Sequence, residues 1–342
     1  MEYFAGLDVS LEETSICVVD EDASVVREAR VGSDPESIAR WFMQARLAVC
    51  RLGLEAGPLS PWLHQGLVAA GLPAICIETR RMRSATQLMA VKTDRVDARA
   101  IAQAIRVGWY TVVHVKSAAS QELRVLLRNR KLVREQRVAL DNEIRGTLKA
   151  FGIKLGKVSE GRFGERVTNA LKEQRPALLS MVEPLLSVRL TLRRSYAVLQ
   201  HQVKAVVQAS TVCQRFMTVA GVGSVVSLTY MTGVDDPRRF TRSRDVGPHL
   251  GLTPRKYASG QIDRNGAISK CGDEMVREAL FQAAHTLLTR VKAWSALKAW
   301  GMQVAKRRGL RRATVAVARK LAIILHKMWV TGEDFRWTAA TG

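Results

Sequence analysis

YFAGLDVSLEETSICVVDEDASVVREARVGSDPESIARWFMQARLAVCRLGLEAGP, residues 3–58, is the stretch that decides the fold. Tyr3–Asp8, Thr14–Val19 and Ser24–Val31 are short, rich in β-branched residues and separated by polar turns, which predicts three strands of a meander. Asp34-Pro35 then supplies an N-cap residue and a first-turn proline, so a helix should run to about Arg46. Ala48–Glu55 reads as a fourth strand, closed by Gly57-Pro58. Working outward, Ser60-Pro61 opens a second helix ended by Gly71, and Pro73–Glu78 is a fifth strand. Three consecutive strands before the first helix favour a ribonuclease-H-like core over a doubly wound nucleotide fold.

Acids stand at the ends of these strands, in a chain where acid is scarce. The 342 residues hold 53 Lys plus Arg against 31 Asp plus Glu, a net charge of +22. Asp8 follows the first apolar run and Glu55 closes the fourth strand. In the expected sheet those strands are parallel neighbours, with their C-terminal ends side by side. Asp94 and Asp97, in KTDRVDAR, are three apart and so share one face of a helix. Phosphoryl transfer on nucleic acids is well served by two divalent metals about 4 Å apart. Magnesium, or manganese in its place, takes hard carboxylate oxygens. Plainer readings exist: Asp8 as a turn residue, Glu55 as a loop acid, Asp94 as an N-cap, Asp97 as a first-turn acid favoured by the helix dipole. Jointly, in this order of elements, the four favour a metal site.

Charge divides the chain. Residues 1–100 carry a net −3 and residues 101–342 a net +25. The first part reads as chemistry and the second as grip on a polyanion, DNA or RNA. Cys17, Cys50, Cys76, Cys213 and Cys271 form no CxxC pair, so neither a zinc nor a disulfide framework is expected. With no signal peptide and no apolar run long enough to span a bilayer, the expectation is a cytoplasmic protein without membrane partners.

Residues 117–151 show helical periodicity through Leu123, Leu126, Val133, Leu140, Ile144 and Phe151. Val182, Leu185, Arg189, Leu192, Tyr196, Leu199, Val203 and Val206 alternate by three and four. This predicts a coiled coil that joins subunits into a dimer or tetramer, or else two long antiparallel helices within one chain. Residues 152–175 would be the hinge. The expected domains are thus 1–112, 113–210 and 211–342: α/β, then helical connector, then a mainly α domain.

In that last domain, VAGVG (219–223) reads as the hairpin of a helix-hairpin-helix element, Gly221 and Gly223 letting amides approach a phosphate. A plain tight turn is the competing reading. Residues 251–272, GLTPRKYASGQIDRNGAISKCG, read as a basic loop with Arg255, Lys256, Arg264 and Lys270 around Ser259-Gly260. Nearby cations suit a phosphate-binding loop. A nucleophilic serine is also chemically possible there, though Ser-Gly is a common turn.

GLDVS, LEAG, KTDRVDAR, PRRF, GLTPRKYASG and GAISKCGDEMVREAL together resemble the transposases of the insertion-sequence family numbered one hundred and ten, relatives of the Piv invertases, over residues 3–330. The resemblance implies a RuvC-like N-terminal domain, a coiled coil and a C-terminal transposase domain. It implies that Asp8, Glu55, Asp94 and Asp97 form a DEDD metal site and that Ser259 is a nucleophile. It also implies DNA strand exchange by an oligomer, between donor and target, guided in some members by a structured bridge RNA. One departure is Gly57-Pro58, where many relatives continue with threonine and glycine. The competing functions are a RuvC-like Holliday-junction endonuclease using metal-activated water, and a non-catalytic basic DNA- or RNA-binding protein.

Overall fold

A computed structural model of the protein describes residues 2–79, 93–260 and 262–337. Lys92, the first residue of KTDRVDAR, lies outside them. The chain divides into two compact units, Met1–Lys116 and Ser117–Gly342.

The first unit is built on a five-stranded sheet: β1 (Tyr3–Val9), β2 (Glu13–Val19), β3 (Val25–Gly32), β4 (Val49–Glu55) and β5 (Ala74–Ile77), in the spatial order β3-β2-β1-β4-β5. β1–β2 and β2–β3 are antiparallel, while β1–β4 and β4–β5 are parallel. That is the ribonuclease-H-like arrangement expected from the strands and helices between Tyr3 and Glu78. The segment after the last helix of this unit pairs on the β5 edge, with Val113 N donating to Cys76 O. Paired this way, β5 presents less of an open edge.

Helices cover both faces of the sheet. α1 (Pro35–Ala45) and α2 (Ser60–Ala69) lie over one, where Ala5, Leu7, Ile16, Val18, Leu52 and Leu54 meet Ile38, Phe42, Leu63 and Leu67. Asp34 caps α1 as expected, accepting from Ser37 N at 2.7 Å. That hydrogen bond holds the Asp34 carboxyl below the usual carboxylate range. α3 (Asp94–Arg106) lies on the other face, packing Ala98, Ile101, Ala102 and Ile105 against Phe4, Cys17, Val19 and Ile77.

The second unit begins with α4 (Ala118–Ala150). α5 (Phe163–Leu171) and α6 (Pro176–Ala209) follow. α4 and α6 run antiparallel, side by side: Arg130 bonds Tyr196 and Gln200, and Arg189 pairs with Asp141. Leu127 meets Val203 and Val207 at one end, and Ile144 and Leu148 meet Val182 at the other. The periodic seam of α6 therefore packs within the chain, the second of the two readings left open by its spacing. Arg189 occupies a buried seam position because Asp141 pairs with it, Glu160 O accepts from it, and the Phe163 ring lies 4.4 Å from its guanidinium carbon. Leu127, Val203 and Val207 of the helical pair share a core with Cys213 and Leu228 of the helices beyond.

Those are α7 (Thr211–Met217) and α8 (Ser224–Val234), followed by a single turn, α9 (Val246–His249), then α10 (Glu274–Thr289), α11 (Ala296–Arg308) and α12 (Leu310–Thr331). α8, α10 and α12 bury Tyr230, Val276, Leu280, Leu287, Val317, Leu321 and Leu325 in one core. The Tyr230 hydroxyl, wholly enclosed, donates to Ala322 O at 2.6 Å. Between α9 and α10, β6 (Pro254–Ser259) and β7 (Ile262–Ile268) form an antiparallel hairpin. The basic loop expected over these residues is thus a β-ribbon. No helix among the described residues is long and apolar enough to cross a membrane.

Candidate active site: an acidic row and a serine-tipped ribbon

Register places the acids. On β1, Gly6 and Asp8 are two apart and so share a face; on β4 the same holds for Gly53 and Glu55. Gly6 pairs with Gly53 and Leu7 with Leu54, so the next row brings Asp8 beside Glu55. The row continues through Ser15 on β2, opposite Asp8, to Arg30 on β3, opposite Ser15.

The two glycines identify which face this is. A Cβ at Gly6 would run into the backbone of Ala98 and Ala102, and one at Gly53 would come within 2.6 Å of the Ile105 side chain. α3 therefore lies directly on the Gly6–Gly53 row. Its other end bonds the β2–β3 turn, with Gln103 donating to Ala23 O and Arg106 to Glu21 O. The helix consequently runs against the direction of β1, and its N-terminus comes to the strand ends that carry Asp8 and Glu55.

Asp94 and Asp97 occupy that N-terminus. Thr93 is the N-cap, accepting from Val96 N at 3.3 Å, so Asp94 is the first helical residue and not the cap. Counting back by threes and fours from Ile101 and Ala98 reaches Asp97 and Asp94. The stripe that packs on the sheet thus begins with two acids. Asp97 is half-buried like Asp8 and Glu55, whereas Asp94 is exposed. Asp94 is held by Arg30, Nη2 to Oδ2 at 3.0 Å, and Arg30 also pairs with Glu13.

Hard carboxylate oxygens in a half-buried row have the donor chemistry that a divalent cation takes. Asp94 would meet a shared ion either through its second oxygen beside the Arg30 guanidinium or by giving up that pair. Among the described residues, no three His, Cys, Asp or Glu side chains stand gathered as a ready metal cage. The charge of Glu55 reaches its surroundings: with burial as the larger cause, it pushes the Cys76 thiol up to about 11.

Ser259 ends β6 and pairs with Ile262 across the hairpin, while Gly260 takes the turn at a φ of +55°. Every residue of β6 is exposed. Tyr257 pairs with Arg264, and by the two-residue period both share the Ser259 face. Lys256 faces the other way and bonds Asp263 at 3.1 Å. Arg255 donates to Ser269 O at the base of the ribbon, and Lys270 bends the chain there with a φ of +56°. The ribbon thus brings together Arg264 and Ser259, with Arg255 and Lys270 at its root. Tyr257 was absent from the sequence-based candidates; strict alternation with Ser259 was the signal that could have marked it.

Gly221 and Gly223 lie in the turn between α7 and α8. Gly221 has a φ of +89°, and a Cβ there would sit 2.6 Å from Ala283 O. Close packing on α10 accounts for it without a phosphate, which favours the tight-turn reading. Gly223 begins α8 as its N-cap, with open space where a Cβ would stand.

Comparison with known proteins places these features in a lineage. A family model described as a transposase, of the DEDD IS110 type, matches residues 5–153, which include all four acids. A second, described as transposase IS116/IS110/IS902 family, matches residues 213–299, which include the ribbon. The transposase for insertion sequence element IS1111A of Coxiella burnetii is 31% identical over 338 residues, covering 97% of this chain and 90% of that one. A probable family 20 transposase of Pseudomonas aeruginosa is 31% identical over 239 residues, covering 68% of this chain and 71% of its own length. A Thermus thermophilus RuvC structure matches 32% of this chain and 99% of its own, at 13% identity and a TM-score of 0.25, too slight a likeness to carry the fold, which rests on strand order instead. Because the identity to the Coxiella transposase extends over nearly the full length of both chains, the protein belongs to the IS116/IS110/IS902 family of transposases.

Proposed function

We propose that the protein recombines DNA through two half-sites: the acids Asp8, Glu55, Asp94 and Asp97, which hold divalent metal, and Ser259, which attacks the DNA. The observation that carries this reading is the common face of Asp8 and Glu55 at the start of the α3 stripe that bears Asp94 and Asp97. A magnesium or manganese ion bound there would supply charge stabilisation at a phosphate. In the proposed step the Ser259 Oγ forms a bond to phosphorus and gives up its proton. The bond from phosphorus to one deoxyribose oxygen breaks, and that oxygen leaves as a hydroxyl. The phosphoserine conserves the bond energy, and a hydroxyl of the partner strand then displaces serine. Arg264 on the serine face, with Arg255 and Lys270 at the ribbon root, steadies the charged phosphate, while Lys256 on the opposite face adds only positive field.

Donor and target DNA are the substrates. A structured bridge RNA is the proposed guide, and a homo-oligomer the working form. The strongly basic sequence after residue 100 supports polyanion partners, by contacts that read backbone and leave sequence to base pairing. Gly223, at the open start of α8, keeps a supporting part in phosphate contact, and Gly221 serves the turn.

Denaturing gels of the full chain with DNA test the reading. A covalent protein–DNA adduct should form with the native protein and disappear in Ser259→Ala, along with strand exchange. Cleavage that persists in Ser259→Ala would favour the metal-activated-water endonuclease instead. Sequencing of co-purified nucleic acid tests the guide: one discrete non-coding RNA supports it, and random fragments count against it.

A further inference from the structure

The β6–β7 ribbon is an unusual object for the domain that carries it. Among the described residues its two strands meet each other and make only marginal contact with other elements. A two-stranded hairpin with no third strand or covering helix is marginally stable in water. Its root is tied down, Ile268 packing on the main core and Ser269 N bonding Thr253 O, but β6 is exposed along its whole length. On the Ser259 face of this strand stands a large aromatic ring, Tyr257, 64% exposed. Arg264 is its cross-strand partner. Exposed aromatic surface beside a cation, on an element that among the described residues packs on little beyond itself, matches the surface that takes single-stranded nucleic acid. There the ring meets a base and the cation meets a phosphate.

We propose that Tyr257 is a stacking platform for an unpaired nucleobase next to the phosphate presented to Ser259. The spacing suits the role. Two residues along a strand cover about 6.6 Å, so the ring and the serine hydroxyl are separated by about one nucleotide of an extended strand. Stacking on the ring fixes the base, and the adjoining phosphate then has little freedom but to lie over the ribbon tip. Tyr257 thus acts as a positioning residue, holding the DNA and taking no part in bond making. Because every base has a π-face, the platform tolerates sequence. It requires a base out of the duplex stack, so the preferred substrate is a locally opened strand. This inference rests on the ribbon being a DNA-contacting element of the proposed reaction.

The test uses the full-length chain in the Ser259→Ala background, so that its outcome does not depend on nucleophilic chemistry. The probe is a DNA oligonucleotide carrying 5-iodouracil, as a single strand and within a duplex. Irradiation should crosslink the single strand to Tyr257, identified by peptide mass spectrometry, with far less crosslinking from the duplex. Tyr257→Trp should keep single-strand affinity. Tyr257→Thr, a strong strand former without a ring, should lose roughly tenfold to a hundredfold. If Tyr257 serves only the ribbon's own pairing, Tyr257→Thr binds like the native residue, which would overturn the proposal. Crosslinks confined to other residues would overturn it equally. The serine assignment fails by a different sign, an adduct that survives Ser259→Ala, so the two failures cannot be confused.

Discussion

Arg30 on β3 reaches Asp94 at the start of α3, Nη2 to Oδ2 at 3.0 Å, and so places a guanidinium at the margin of the acidic row. Both side chains are more than half exposed, so the pair is worth at most about 1 kcal/mol. A divalent ion that recruits Asp94 works against the charge of Arg30, whether it takes the second carboxylate oxygen or displaces the pair. Arg30→Gln should therefore tighten metal binding by about twofold to fivefold, the equivalent of that small energy. Calorimetric titration of the full chain with manganese measures it. Unchanged or weaker binding would mean that Asp94 is not among the ligands.

The glycine row sets how closely α3 approaches the acids. At Gly6 an added methyl meets the backbone of Ala98 and Ala102, which cannot turn aside. At Gly53 it meets Cγ1 and Cδ1 of the buried Ile105 side chain, which has little room but yields more readily than backbone. Gly6→Ala should cost about 1–3 kcal/mol in urea unfolding, and Gly53→Ala less. Gly6→Ala should also depress DNA strand exchange in protein that remains folded, because lifting α3 carries Asp94 and Asp97 away from Asp8 and Glu55. Equal stability and activity in both variants would refute the close-packing account.

Much of this geometry was legible in the sequence, and what was not has physical reasons. The meander and its two capped helices were readable because β-branched runs, Asp34-Pro35 and Ser60-Pro61 carry local signals. Observed α1 and α4 lie within a residue or so of their expected bounds. The helix α5 was hidden in an expected hinge, its Phe163, Val167 and Leu171 spacing outweighed by flanking glycines. The ribbon looks like a loop in sequence because cations and glycines dominate it, and strand pairing is a non-local property that composition does not announce. The mate of the α6 seam was equally out of reach, since periodicity marks an apolar face without naming what covers it.

Cys17 gives the first unit an alkaline limit. It is wholly enclosed under α3, and burial, followed by the charge of Glu28, pushes its thiol up to about 11 from an ordinary 9.0. The folded thiol keeps its proton while the unfolded one gives it up. The associated stability is therefore fully present below pH 9.0 and is lost as pH rises toward 11. Urea midpoints should fall across that window, and the fall should be shallower in Cys17→Ala. At pH 8, iodoacetamide should modify the exposed Cys50 and spare Cys17 until the protein unfolds.

The acids and the serine lie in different units of the chain, Asp97 in Met1–Lys116 and Ser259 in Ser117–Gly342. If the working site combines the acids of one subunit with the serine of another, two inactive variants can repair each other. Asp97→Asn alone should lose at least about a hundredfold in strand exchange while DNA affinity and its salt dependence hold, since the basic segment does the gripping. Ser259→Ala alone should lose the adduct. Mixed under conditions that allow subunits to exchange, the pair should regain about a quarter of native activity. In a symmetric dimer, half of the random pairings are mixed, and each mixed dimer holds one intact site of two. Strand exchange on a DNA substrate reads this directly. A mixture as inactive as its parts would place both half-sites in a single chain, or show that every site in the oligomer has to fire together. A linked dimer carrying both substitutions in one half and none in the other separates those outcomes. It is active if one chain suffices, and silent if all sites are required or if the site is shared between chains.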